Sequence, residues 1–261
     1  MVFAKKSLGQ HFLIDKNIIK KIINLTKIES KNVVEIGPGR GALTDEILIR
    51  NPKSVTLFEK DNQLYKFLKE KYKNNKIIKI FNKDILKIDL ESIVENKSII
   101  LGNLPYNISS QILVKIIKFK NWPPKFNDIV FMFQKELGEK IISKFPSSNY
   151  GRLSILTYYK LNIMNKFLIS PNCFFPKPKI NSMIIHFCPK QNKKYTIKDI
   201  NNLEKITNIL FSNKRKMINK NIKKILFNHE LKKIPTSTEK LRPAELRPEF
   251  YYKITELIEN R

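Results

Sequence analysis

The chain has 261 residues and a mass of 30.8 kDa, enough for one sizeable core and a smaller appended unit. With 42% hydrophobic and 28% charged residues it is neither a disordered nor a membrane-embedded chain, and no apolar run approaches the roughly 20 residues of a bilayer span. The opening Met1-Val2-Phe3-Ala4-Lys5-Lys6 carries charge with no apolar stretch behind it, so no secretory leader is expected.

Cys173 and Cys188 are too few for a disulfide framework, and with His11, His186 and His229 they show no close ligand spacing. A reducing cytoplasm and no metal site are expected. Fifty basic against 23 acidic residues give a net charge of +27, which favours a polyanionic partner. Lys outnumbers Arg 43 to 7 and Asn and Ile are abundant, a bias that an A+T-rich genome also produces. The placement of the charge therefore says more than its total.

Taken in chain order, Asp15 caps a helix whose Ile14, Ile18, Ile19, Ile22 and Ile23 return at helical spacing. Val33–Ile36 reads as a buried strand ended by a glycine turn, Ala42–Arg50 as a helix, and Val55–Phe58 as the next strand. Asp61 or Asn62 caps a helix running to Tyr72. Ile77–Phe81 and Ser98–Leu101 are further strands, then comes a helix over Gln111–Phe119 and a strand over Ile129–Phe133. Leu156–Leu168 and Ile180–Phe187 read as a closing antiparallel pair. Such alternation predicts an α/β fold with a mostly parallel sheet covered on both faces. Beyond about residue 190 only helical periodicity remains, with 18 basic and 8 acidic residues. The expected division is 1–189 as a catalytic domain and 190–261 as a helical RNA-binding domain, joined by the Lys/Asn-rich 190–194.

The turn Gly37-Pro38-Gly39-Arg40-Gly41 lies between a strand and a helix, where a doubly wound sheet binds nucleotide-like ligands. A glycine triplet alone is weak evidence. Glu59, 20 residues after Gly39 at the end of the next strand, suits a pair of ribose hydroxyls, and Asp84 after the third strand suits an adenine amino group. The spacing Gly-x-Gly-x-Gly departs from the dinucleotide fingerprint. Glu35 ahead of it suits a cationic amino-acid end, which favours S-adenosylmethionine over NAD.

Asn103-Leu104-Pro105-Tyr106 follows the fourth strand of this series. An exocyclic adenine amine is a poor nucleophile because its lone pair is delocalised into the ring. The Asn103 side-chain oxygen and the carbonyl before Pro105 can accept its protons and favour the pyramidal, cationic nitrogen of a methyl-transfer transition state. Pro105 stiffens the loop, and Tyr106 offers a ring face to an extruded base. A packed tyrosine turn is the plainer reading; behind the glycine unit it is the minor one.

These segments, with Leu8-Gly9-Gln10-His11-Phe12-Leu13, Tyr150-Gly151-Arg152-Leu153-Ser154 and Phe174-Phe175-Pro176-Lys177-Pro178-Lys179, resemble the small-subunit ribosomal RNA adenine dimethyltransferases. The resemblance runs nearly end to end. It implies a class I S-adenosylmethionine-dependent methyltransferase fold, Rossmann-like with seven strands, and a small helical domain. It further implies dimethylation of two adjacent adenines in the 3′-terminal hairpin loop of small-subunit rRNA. The partner would be an immature 30S-type particle, with the enzyme monomeric and free of metal and membrane. By family position His11, Leu13, Gly37, Glu59, Asp84 and Asn103 contact the cofactor, and Tyr106 and Phe174 hold the adenine. Many relatives have Asn where this chain has His11, so a backbone contact there would survive and a side-chain contact would be altered.

Lys214, Arg215 and Lys216 open a run of six basic residues to Lys224 with no acid, in a segment that matches an RNA-facing helix of the family. Met217, Ile218 and Ile222 would face inward. Phe175 reads as core, Phe174 as either a stacking ring or a packed one, and Lys177 and Lys179 as phosphate contacts or solvated charges. Two rival functions share the fold: a large-subunit rRNA adenine methyltransferase of the antibiotic-resistance type, and a non-catalytic ribosome-assembly or transcription factor.

Overall fold

The computed structural model describes residues 10–191 and 194–261. The opening hexapeptide, Leu8 and Gly9 of the N-terminal motif, and 192–193 of the Lys/Asn-rich stretch lie outside the described residues.

The first unit comprises the chain up to Gly138 together with Asn162–Pro189. It begins with β1 (Phe12–Leu13), then α1 (Lys16–Ile23), β2 (Asn32–Ile36), α2 (Ala42–Ile49), β3 (Ser54–Phe58) and α3 (Asn62–Lys71). Next come β4 (Ile78–Phe81), α4 (Leu90–Ile93), β5 (Ser98–Asn103), α5 (Ser109–Ile117), β6 (Phe126–Gln134) and α6 (Lys135–Ile142), whose second half from Glu139 belongs to the second unit. Asp15 and Asp61 cap α1 and α3, each accepting from two backbone N–H groups of the first turn. After α7 (Arg152–Lys160), which belongs to the second unit, β7 (Leu161–Ile169), β8 (Phe174–Phe175) and β9 (Ser182–Pro189) complete the strands.

Seven of these strands form one sheet in the order β4-β3-β2-β5-β6-β9-β7. The pairs from β4 to β6 are parallel and β6 pairs β9 antiparallel. Both faces are covered, as alternation along the central strands shows. Val33, Ile99, Leu101, Val130 and Met132 join one cluster with Ile22 of α1 and Ile47 of α2. Val34, Ile100 and Phe131, one residue out of phase, are just as buried.

The second unit gathers Glu139–Leu161 with Lys190–Arg261. Besides α7 it contains α8 (Ile200–Phe211), α9 (Asn219–Ile222), α10 (Asn228–Leu231) and α11 (Pro248–Glu259). Tyr252 joins its parts: its ring lies 5.0 Å from that of Tyr159, and its hydroxyl donates to the Ile155 carbonyl at 2.9 Å.

The structure corrects three expectations here. Residues 139–161, expected in the catalytic domain, group with the helical tail in the second unit. Residues 156–160, expected to open the strand Leu156–Leu168, instead end the helix α7 (Arg152–Lys160). They are buried on nearly all sides, so no polar face marks their period. The basic run does not lie on one helix: Lys214, Arg215 and Lys216 occupy the turn after α8, all exposed, and Met217 is 53% exposed while Ile218 and Ile222 are buried. Among the described residues no helix is long and apolar enough to cross a membrane.

Candidate active site

β2 lies between β3 and β5, so the chain leaves it in one direction and later returns on its other side. A crevice opens at the carboxyl ends of the strands at such a switch point. The glycine turn sits there, with positive φ at Gly37, Gly39 and Gly41. Gly41 is the most constrained. At φ +81° it leads into α2, and a Cβ would lie 2.3 Å from the Tyr72 hydroxyl. That hydroxyl donates to Asp45 at 2.7 Å, and Lys71 Nζ donates to the other Asp45 oxygen at 2.6 Å and to the Arg40 carbonyl at 3.1 Å. The end of α3 thus clamps the turn against α2.

Three acids meet at this crevice. Glu35 is 1% exposed, and burial pushes its carboxyl up to about 7 against the opposing hydrogen bond from Thr44. Glu59 accepts from the backbone N–H of Gly39 at 3.2 Å and of Asp61 at 2.8 Å, which fixes its carboxylate beside the glycine turn. Burial raises its pKa despite those bonds. Asp84 pairs with Lys60 at 2.9 Å, which holds its carboxyl below the usual range.

The Asn103 loop closes the opposite side. A Cβ on Gly37 would lie 3.6 Å from the Asn103 carbonyl, so the two turns are in close apposition. Asn103 Nδ2 donates to the His11 carbonyl at 3.0 Å. With its donor side committed, the amide presents Oδ1 as acceptor. His11 Nδ1 donates to the Pro176 carbonyl at 2.7 Å, and its ring stacks on Tyr106 with centroids 5.7 Å apart. The Tyr106 hydroxyl shares a 2.6 Å hydrogen bond with Ser182, which is fully buried. The phenol is thereby held at both its edge and one face.

His11, Leu13, Gly37, Glu59, Asp84 and Asn103 all line this one cavity, and so do Leu104, Pro105 and Tyr106. Phe174 does not. At 3% exposure it sits in the core with Leu13, Ile22 and Ile184, while Phe175, expected in the core, is 60% exposed. The reason is the β1–β8 register, which pairs Leu13 with Phe174 and Phe12 with Phe175 and turns the two aromatics to opposite faces. Lys214, Arg215 and Lys216 belong to the second unit. The sequence reading missed Thr44, Asp45, Lys71 and Tyr72, which act from other elements. It also missed Phe12, which lines the cavity beneath Gly39, and the anchoring role of Ser182, although that residue lies within the expected strand Ile180–Phe187.

A glycine turn, carboxylates at successive strand ends and a rigid Asn-Leu-Pro-Tyr loop on one crevice fit a methyl-donor nucleoside and an amine acceptor. Comparison with known proteins agrees. The family model for ribosomal RNA adenine dimethylase matches residues 1–260. The chain belongs to that family. It is 46% identical over 260 residues to the ribosomal RNA small subunit methyltransferase A of Pelagibacter ubique, covering 99% of this chain and 98% of that protein. It is 38% identical over 246 residues to the protein of the same name from Mycoplasma mobile, covering 94% and 92%. Among solved structures, a dimethyladenosine transferase from Plasmodium falciparum superposes with TM-score 0.76 at 25% identity, over 96% of this chain and 98% of that one. The 23S rRNA methyltransferase ErmE shares the fold, with TM-score 0.69 at 21% identity over 95% and 99%. The architecture is that of a class I S-adenosylmethionine-dependent methyltransferase, as expected for this family.

Proposed function

We propose that this protein dimethylates the N6 amines of two adjacent adenines in the 3′-terminal hairpin loop of small-subunit rRNA. S-adenosylmethionine is the donor, and a monomeric enzyme acts in the cytoplasm on an immature 30S-type particle. The observation that carries the reading is the Asn103–Tyr106 loop bordering the same cavity as Glu35, Glu59 and Asp84. The near-complete match to small-subunit enzymes supports that target over the large subunit.

Glu59 would accept from the ribose hydroxyls of the donor, Asp84 from its adenine amino group, and Glu35 would balance its cationic amino-acid end. When bound, the donor supplies an electrophilic methyl carbon on sulfur. Asn103 Oδ1 and the Leu104 carbonyl accept the two N–H bonds of the target amine. They thereby stabilise the positive charge that grows on nitrogen, as preorganised dipoles that need no reorganisation. No general base is required before attack, because the amine carries its own lone pair; a proton leaves after transfer. A second transfer proceeds with one remaining N–H on an acceptor. Tyr106, tethered to Ser182 and backed by His11, stacks on the extruded ring. Lys214, Arg215 and Lys216 contact phosphates and contribute position more than sequence discrimination.

The test is incubation with unmodified small and large subunits and labelled donor, followed by nucleoside mass spectrometry and mapping. Dimethyladenosine at two adjacent small-subunit positions is expected. Label in large-subunit rRNA, or none at all, would refute the reading.

A further inference from the structure

Phe175 is 60% exposed, directly after a phenylalanine that is 3% exposed. Cross-strand partners point to the same face of a ribbon, so the pairing of Phe12 with Phe175 sets both rings on one side of β1–β8. Phe12 is the inner member: it lines the cavity, underlies Gly39, and carries the Arg40 guanidinium 4.7 Å from its ring centre. Phe175 extends that face outward. The next residue, Pro176, accepts the hydrogen bond of His11, a cavity-lining residue that backs Tyr106, so Phe175 adjoins a residue bonded to the cavity wall. Lys177 and Lys179 follow at alternate positions, both exposed, while Pro178 between them is buried. An exposed ring interleaved with cations and continuous with a base-accepting cavity is the arrangement that holds unpaired nucleic acid.

We propose that Phe175 is a stacking platform for a second nucleobase, the neighbour of the adenine that enters the cavity, with Lys177 and Lys179 along its phosphates. The inference rests on the function proposed above and deepens it. A substrate with two adjacent target adenines must keep one unstacked while the other reacts. A ring just outside the cavity gives the waiting base a surface and holds the strand in register between transfers.

The test compares wild type with Phe175→Ala, Phe175→Leu and Phe175→Trp on unmodified small subunits. The loss of one base–aromatic stack predicts a rise of about 5- to 100-fold in KM for the particle in the Ala and Leu variants. Recovery is expected in the Trp variant, with cofactor affinity and melting temperature unchanged throughout. A hairpin RNA with 2-aminopurine beside the reacting adenine should be quenched by wild type and less so by Phe175→Ala. Wild-type KM in the Ala variant would overturn the inference while leaving the proposed function standing. So would wild-type KM in the Leu variant alone, since an apolar contact without stacking would then suffice. If the wild-type protein itself transfers no methyl group, the underlying function fails instead.

Discussion

The Thr44 hydroxyl donates a 2.6 Å hydrogen bond to Glu35, and both side chains are sealed from solvent. A carboxyl buried in this way is raised to about 7 by desolvation, with Thr44 opposing the shift. Between about pH 4.5 and 7 the folded state therefore binds a proton that the unfolded state has released. Stability falls as pH rises through that window and is flat above it, by about 3 kcal/mol if the whole shift is expressed. Denaturant melts at pH 5 and pH 8 should show this loss in wild type and a smaller one in Glu35→Gln, where the raised Glu59 still contributes in the same sense. A cationic donor end beside Glu35 favours the ionised form, so donor binding below pH 7 should release a proton. Calorimetry in buffers of different ionisation enthalpy measures that release, and Glu35→Gln should abolish it.

Asn103 is tied to the His11 backbone through its amide N–H, leaving the oxygen for substrate. Asn103→Ala should lower the turnover number about 100- to 1000-fold, as removal of one preorganised transition-state partner does elsewhere. Donor affinity should change less than tenfold. Single-turnover methylation alongside equilibrium binding separates the two; near-normal turnover would remove Asn103 from the chemistry.

Gly41 and Tyr72 form a testable pair. Gly41→Ala adds a Cβ at φ +81° against the Tyr72 hydroxyl, and should cost on the order of 2 kcal/mol. Tyr72→Phe alone forfeits the bond to Asp45, about 1 kcal/mol. In the Tyr72→Phe background the Gly41→Ala cost should shrink, because the colliding oxygen is gone. A double-mutant cycle by urea unfolding reads that coupling; strict additivity would mean the clamp is absent in solution.

Replacement of Lys214, Arg215 and Lys216 together by Ala should weaken RNA binding across sequences. It should also reduce the slope of log affinity against log salt by about one unit per lost phosphate contact. Unchanged salt dependence would show that these exposed cations are merely solvated.

Much of this site was legible because its parts are local. The Gly37–Gly41 turn, Glu59, Asp84 and the Asn103 loop each announce themselves within a few residues, and strand alternation puts them at one edge. What was hidden depends on distant partners. The choice between Phe174 and Phe175 is made by the register with Phe12 and Leu13, about 160 positions away in the chain. Thr44 and Tyr72 reach the site from α2 and the end of α3, whose sequence patterns carry no sign of a ligand. The helix over Arg152–Lys160 escaped because Ile155, Thr157, Tyr158 and Tyr159 favour strands, and tertiary burial overrides that preference.

The chain visits the helical unit twice, first over Glu139–Leu161 and again from Lys190. A truncation after residue 189, where the composition changes, would not liberate a clean catalytic fragment. It would strip Ile155 and Tyr159 of Tyr252 and leave a greasy helix dangling from the enzyme. A minimal methyltransferase would need that excursion excised as well, with a linker joining Gly138 to Asn162.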